Sequence, residues 1–295
     1  MVGMSDYGFF LEHGLGCAAD PSAAAGWYRR AAELGDATAA NNLGVQLLEG
    51  RGVAPDPADA AELLTMASHA GSPAAVNNLG ICYEDGLGLS PSLEVAEACY
   101  RAAAEQGHVP GMLNYARMLA GGARAAEALP WLERALAGTQ GSNADVCYAL
   151  GNVLEHLSSG QTMDFVRVRA APTRQAGREA AALLRRGQAQ HAKPGPDPRS
   201  IRQLYQRAAD AGHVGAMFRL ACDLWSREED RERAVPLFLA AAGQGHADAV
   251  LAVAALVESS RLGMQQDPRD AYDLVGCAAA LGSTDARSQL ESILS

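Results

Sequence analysis

The chain has 295 residues, 48% of them hydrophobic but only 5% aromatic, and a formal charge of −10. Such an acid balance does not suit nucleic acid, whose binding leans on Lys and Arg neutralising phosphates. The only lysine, Lys193, lies between Ala192 and Pro194, which excludes both a Gly-Lys-Ser/Thr phosphate loop and a Ser-x-x-Lys hydrolase.

A closing glycine recurs along the chain at Gly35, Gly71, Gly107, Gly141, Gly177, Gly212, Gly245 and Gly282, with spacings of 33 to 37 residues. A period of this length marks a solenoid of small supersecondary units. It predicts an all-α fold: an α-solenoid (α/α superhelix) of about eight antiparallel helix pairs, forming one domain over 1–295. The expected units are 1–35, 36–71, 72–107, 108–141, 142–177, 178–212, 213–245 and 246–282, with a C-terminal capping helix in 283–295.

In the first unit, Tyr7-Gly8 opens the first helix, Gly14 and Gly16 make the turn, Asp20 starts the second helix, and Trp27-Tyr28 supply its aromatics. The second unit carries the fuller turn Gly50 to Asp56, with Asp56-Pro57 as a helix start. The third, 72–107, is the best preserved. Its first helix places Ala75, Asn78, Leu79, Cys82 and Tyr83 at helical spacing, Gly86 and Gly88 end it, and Val95, Cys99, Tyr100, Ala103 and Ala104 mark the second. Small residues after each Leu and paired alanines let backbones approach closely.

The fourth unit shortens its turn and has Trp131-Leu132 in the aromatic slot. The fifth loses both turn glycines, and Pro172 falls where its second helix should run, predicting a broken or short helix between 160 and 175. In the sixth, Leu184-Arg185 takes the Leu-Gly slot, and Lys193 to Pro198 is the turn before Tyr205. The seventh contracts to a charged turn, Arg227 to Arg233, and the eighth restores Gly263 and Asp267-Pro268.

Six cysteines, Cys17, Cys82, Cys99, Cys147, Cys222 and Cys277, share no repeat position and form no Cys-x-x-Cys, which favours buried thiols over a disulfide or zinc framework. Met1 to Phe10 lacks a signal peptide's basic head, and no stretch reaches the ~18 apolar residues of a membrane span. A cytoplasmic protein without membrane insertion is expected.

Leu79-Gly80-x-x-Tyr83-x-x-Gly86-x-Gly88 and Trp27-Tyr28-x-x-Ala31-Ala32-x-x-Gly35 closely resemble the Sel-1-like repeat family, relatives of the tetratricopeptide repeats. The resemblance covers units one to three strongly and weakens through units four, five and seven. It implies a superhelical array of helix pairs acting as an adaptor for a protein or peptide; with no cofactor or metal motif in the sequence, none is expected. It also implies peptide holding on the concave face by an Asn just before the Leu-Gly of the first helix. Asn42, Asn78 and Asn114 match that slot, whereas Ala149, Arg185, Arg219 and Ala252 stand there later. An amide column can grip an extended backbone, or it can bridge helices within the array. The sequence leaves both open.

His108, His213 and His246 each follow a closing glycine, but repetition spaces them along a ridge, too far apart for one metal ion, so a turn role is expected. Residues 1–141 carry 7 basic and 16 acidic side chains, 142–212 carry 10 and 6, and 213–295 carry 7 and 12. A basic belt, including Arg178, Arg185 and Arg186, could dock an acidic partner segment through bidentate pairs. Its other meaning is a solvated helix surface. Two further classes are kept beside the adaptor. One is a structural subunit of a permanent assembly. The other is a β-lactamase-like hydrolase of the cysteine-rich repeat type, disfavoured because those proteins pair cysteines regularly within repeats.

Overall fold

In the computed structural model, residues 2–121, 124–159, 197–258 and 276–283 are described, and every regular element among them is helical. In order, the helices are α1 (Val2–His13), α2 (Pro21–Glu33), α3 (Ala37–Glu49), α4 (Pro57–His69), α5 (Pro73–Asp85), α6 (Leu93–Glu105), α7 (Val109–Gly121), α8 (Ala125–Gly138) and α9 (Ala144–Ser159). After the undescribed segment come α10 (Pro198–Asp210), α11 (Val214–Trp225), α12 (Arg231–Gly243) and α13 (Ala247–Glu258). Residues 276–280 are helical as well. The chain divides into two compact bodies, one up to Gly138 and the other from Thr139 on.

Local chemistry fixes where the helices begin. Asp20, Asp36, Asp56, Ser72, Ser92 and Asp197 each accept a backbone N–H of the first turn, satisfying donors that have no intrahelical partner. Four of these caps precede a proline, at Pro21, Pro57, Pro73 and Pro198, where a missing N–H costs nothing. The charged run expected as a turn is partly helix: Glu228–Asp230 is a single 3-10 turn, and α12 already begins at Arg231.

Within each pair, a glycine on the first helix opens a slot for a large residue of the second. A Cβ at Gly80 would lie 2.6 Å from the Tyr100 ring, one at Gly8 would lie 2.8 Å from Tyr28, and one at Gly44 would lie 3.0 Å from Leu64. Tyr28, Tyr100 and Leu64 are fully buried as a result, among alanines such as Ala31, Ala67, Ala103 and Ala104. Aromatic side chains that bury 150–250 Å² each supply much of the driving force, and the alanines let the helices come close enough to exclude water.

The Gly-x-Gly turn has two separate jobs. Gly50 and Gly86 cap α3 and α5 in the left-handed conformation. Gly52 and Gly88 do something else: a Cβ at Gly88 would come 2.0 Å from the carbonyl oxygen of Pro57, and one at Gly52 would come 2.4 Å from the carbonyl carbon of Pro21. The second glycine therefore seats each turn against the first residue of the second helix in the preceding pair.

In the N-terminal body α3 touches α5 and α5 touches α7, while among the described residues no two second helices meet to a like extent. First helices thus form the inner, crowded row and second helices the outer one. In the C-terminal body the helix packed on α9 is α10. The Tyr205 ring lies 2.7 Å from where a Gly151 Cβ would stand, the same slot that Gly80 makes for Tyr100. The pair therefore joins the first helix expected of unit 142–177 to the second helix expected of unit 178–212. Residues 160–196, with Pro172, Gly177 and Leu184-Arg185, lie outside the described residues, as do Gly263, Asp267-Pro268 and 284–295 of the expected cap.

Candidate partner-binding face

The inner row of the N-terminal body is stitched by asparagines. Asn78 Nδ2 donates to Asn41 Oδ1 at 2.9 Å, and one pair further on Asn114 Nδ2 donates to Asn77 Oδ1 at 2.9 Å. Neighbours on one helix add Asn41 Nδ2 to Asn42 Oδ1 at 3.3 Å and Asn77 Nδ2 to Asn78 Oδ1 at 3.4 Å. Asn77, Asn78 and Asn114 are buried, with exposures of 0%, 3% and 1%. Asn42 is half-buried and hydrogen-bonds the Tyr28 hydroxyl. Of the three predicted contact residues, Asn42 thus has open surface, while Asn78 and Asn114 spend their amides on the preceding first helix.

A second polar device, which the sequence reasoning did not find, stands at the end of alternate first helices. Glu12 accepts the Tyr28 hydroxyl at 2.8 Å, Gln46 Nε2 at 3.2 Å and an Arg51 nitrogen at 3.2 Å. Glu84 accepts the Tyr100 hydroxyl at 2.7 Å and Arg117 at 2.6 Å. Each carboxylate joins its own pair's second helix to an arginine of the next pair, and Glu12 and Glu84 are shielded, with side-chain exposures of 6% and 11%. Burial first, and then the hydrogen bond to Glu12, hold the Tyr28 hydroxyl far above the ordinary tyrosine range, so it remains a donor at any working pH.

In the second pair the same two slots hold Leu48 and Leu64, 36 residues after Glu12 and Tyr28. Polar and apolar solutions thus alternate, each internally consistent. Leu48 packs on the core, and Leu64 is fully buried.

The C-terminal body rebuilds both devices with other residues. Tyr205 donates to Glu155 Oε2 at 2.6 Å, and Arg219 NH1 lies 4.0 Å from the same oxygen. Arg219 also hydrogen-bonds the Tyr148 side chain. Counted from the Leu-Gly position, Arg219 fills the slot of Asn114 and Tyr148 that of Asn77. One guanidinium therefore does the work of both Asn114 and Arg117. A signal was present in the sequence: Tyr follows Glu by 16 residues at Glu12/Tyr28 and Glu84/Tyr100.

The three histidines after closing glycines prove to be helix N-caps. The Nδ1 atoms of His108, His213 and His246 accept the backbone N–H of Gly111 at 3.2 Å, Ala216 at 3.1 Å and Ala249 at 3.3 Å. Arg178, Arg185 and Arg186 of the basic belt lie outside the described residues.

Cys82 and Cys147 are buried, as expected of structural thiols, whereas Cys17, Cys222 and Cys277 are exposed; an activated nucleophile requires a lowered thiol pKa. Burial pushes the Cys99 thiol up, and it does the same at Cys147, where Arg207 only partly opposes it. No disulfide joins the described cysteines. Among the described residues no helix is long and apolar enough to cross a membrane.

The family model for the Sel1 repeat matches residues 2–36, 37–72, 73–108, 196–213, 214–246 and 247–283. The fourth and fifth expected units are unmatched beyond residue 108, and the fourth match contains α10 without α9, as the α9–α10 pairing explains. A Sel1 repeat protein from Oxalobacter formigenes is similar at 20% identity with a TM-score of 0.68, covering 93% of this chain and 96% of that one. The protein c5321, a protective antigen present in uropathogenic Escherichia coli strains and displaying an SLR fold, is similar at 22% identity with a TM-score of 0.61, over 98% of this chain. This chain spans 56% of the length of c5321. At such identities the likeness speaks for the fold alone. No protein with a curated description matches the chain.

Proposed function

The chain belongs to the Sel1 repeat family, and from that premise we propose that it is a non-catalytic adaptor holding a peptide or protein partner along the row of first helices. The observation that carries this is the contact of α3 with α5 and of α5 with α7, which makes that row the inner face of the N-terminal body. An extended segment laid across it would meet successive helices at a constant interval.

Within this proposal Asn42 touches the partner directly, because its amide is half-buried. Asn78 and Asn114 act indirectly, by holding neighbouring first helices at the spacing the partner reads. The arginines Arg178, Arg185 and Arg186 supply a second contact for an acidic segment, one that high salt weakens.

A random-peptide display library panned on the full chain gives the test. Hydrogen exchange of the chain bound to a selected peptide should protect α3, α5 and α7, and Asn42→Ala should weaken binding about tenfold in a variant that circular dichroism shows to be folded. Protection confined to α2, α4 and α6 would overturn the placement. Retained affinity in a variant with Arg178, Arg185 and Arg186 all changed to Glu, measured at low salt, would remove the basic belt from it.

A further inference from the structure

Five junctions between a second helix and the next first helix share one backbone frame and differ in the group that caps it, and a sixth, entering α9, is capped by an asparagine in a different turn. At Asp36, Ser72, His108, His213 and His246 the capping residue's own N–H bonds back to the preceding helix, at Ala31, Ala67, Ala103, Ala208 and Ala241, with distances of 2.9 to 3.1 Å. Its carbonyl then starts the next helix, as in Met112 to His108 at 2.9 Å and Met217 to His213 at 3.1 Å. Asn143 caps α9 through Oδ1, accepting Asp145 and Val146 N–H at 3.0 and 3.1 Å.

The chemistry of the caps divides the junctions. Asp36, Ser72 and Asn143 remain acceptors across the pH range in which histidine titrates. A histidine accepts a backbone N–H through Nδ1 only while that nitrogen keeps its lone pair, which fixes the neutral tautomer with its proton on Nε2. Protonation turns the cap into a donor facing a donor. We propose that the junctions entering α7, α11 and α13 form an acid-responsive set, in which protonating His108, His213 and His246 releases the first turns of those helices while the junctions entering α3, α5 and α9 hold.

The surroundings grade the response. Burial is the one influence acting on His108, and it disfavours the charged ring. His213 is also buried and stacks on Tyr148 of α9 with ring centroids 4.1 Å apart, but the Asp145 carboxylate of the same helix lies 3.6 Å from Nε2 and favours the cation. His246, whose ring stacks on Phe218 of α11 at 4.6 Å, opposes the His213 charge. At His213 the Asp145 carboxylate thus works against burial, which still holds the ring below its ordinary value. This inference concerns the fold and is independent of the partner proposed above.

The test is hydrogen exchange on the full chain at pH 7.5 and pH 5, corrected for intrinsic exchange rates. First-turn amides of α7, α11 and α13 should lose at least tenfold in protection at the lower pH, and those of α3, α5 and α9 should change less than twofold. Replacing the three histidines with Asn, the acceptor already used at Asn143, should abolish the difference. Equal loss at all six junctions, or an undiminished pH effect in the Asn variant, overturns the proposal. Should that variant fail to fold, the imidazole nitrogen spectrum of the unaltered chain decides. Unprotonated Nδ1 at neutral pH on all three rings upholds the proposal, and a protonated Nδ1 on any of them overturns it.

Discussion

Replacing Gly88 with Ala should cost far more than replacing Gly86, although the two glycines share a turn and nearly the same φ, 69° and 70°. Left-handed backbone penalises any L-residue by roughly 1–2 kcal/mol, and removing a glycine returns about 0.4–1 kcal/mol by restricting the unfolded chain. At Gly86 the nearest atom to an added Cβ is Pro91 Cδ at 3.4 Å, an ordinary contact. Gly86→Ala should therefore destabilise by about 1 kcal/mol. At Gly88 the added atom would meet the Pro57 carbonyl oxygen at 2.0 Å and its carbon at 2.5 Å. No side-chain rotation relieves a clash with backbone, so the turn must lift from the start of α4. Overpacking of this kind adds roughly 1–3 kcal/mol, bringing the total to about 3 kcal/mol. With a urea dependence of about 2 kcal/mol per molar, the two variants should differ in midpoint by about 1 M. Circular dichroism of the full chain in a urea series, following the transition of the N-terminal body, is the assay. A Gly88→Ala midpoint equal to or above that of Gly86→Ala would refute the close-approach account of the second glycine.

Glu84→Leu alone should destabilise by about 3 kcal/mol or more, because Tyr100 and Arg117 lose their acceptor in a buried site. The triple change Glu84→Leu, Tyr100→Leu, Arg117→Ile should regain most of that loss in the same urea series, since one period earlier Leu48, Leu64 and Ile81 fill those slots. Asn114→Ala should cost about 1–3 kcal/mol by leaving the Asn77 carbonyl unpaired, and adding Asn77→Ala should recover part of it. The ring of His108 is held down to about 4 by burial, against an ordinary value of 6.5. The unfolded chain thus takes up its proton first as pH drops. Stability is complete above pH 6.5, declines as pH falls toward 4, and is lower by on the order of 3 kcal/mol at the bottom of that window. Urea midpoints taken from pH 7.5 to 4 should show this slope in the unaltered chain and a shallower one in His108→Asn.

The N-terminal pairs were legible in the sequence because their packing is written in glycine and alanine, residues whose absence of bulk is itself the signal. Gly80 and Tyr100 stand 20 residues apart, and the slot one makes for the other follows from helix geometry. The α9–α10 pair was not legible by the same ruler. Gly141 and Gly212 lie 71 residues apart, two periods, so spacing alone divides the stretch into two units. The Tyr205 ring in the Gly151 slot shows that the two helices at its ends are one pair. The asparagines recur in one slot of successive first helices, but which way their amides face depends on helix rotation, which the spacing of one slot per unit cannot supply. The sequence does not set Glu12, Glu84 and Glu155 apart, because a carboxylate near a turn, such as Glu84-Asp85, ordinarily reads as solvated. Only the tyrosine and arginine brought from other helices make these three different.

The alternation of Glu/Tyr and Leu/Leu slots bears on how such a chain can gain or lose repeats by recombination. Arg51 answers Glu12, and Arg117 answers Glu84, each from the neighbouring pair. A deletion that removed the second pair alone would bring Glu12 against Ile81 in place of Val45, with no arginine at hand, and would strand a carboxylate in the interior. Excision of the first two pairs together would leave Glu84 with Arg117. The heritable module is then two pairs long, twice the period that the glycines display, and copy-number variants of this chain should change by even steps.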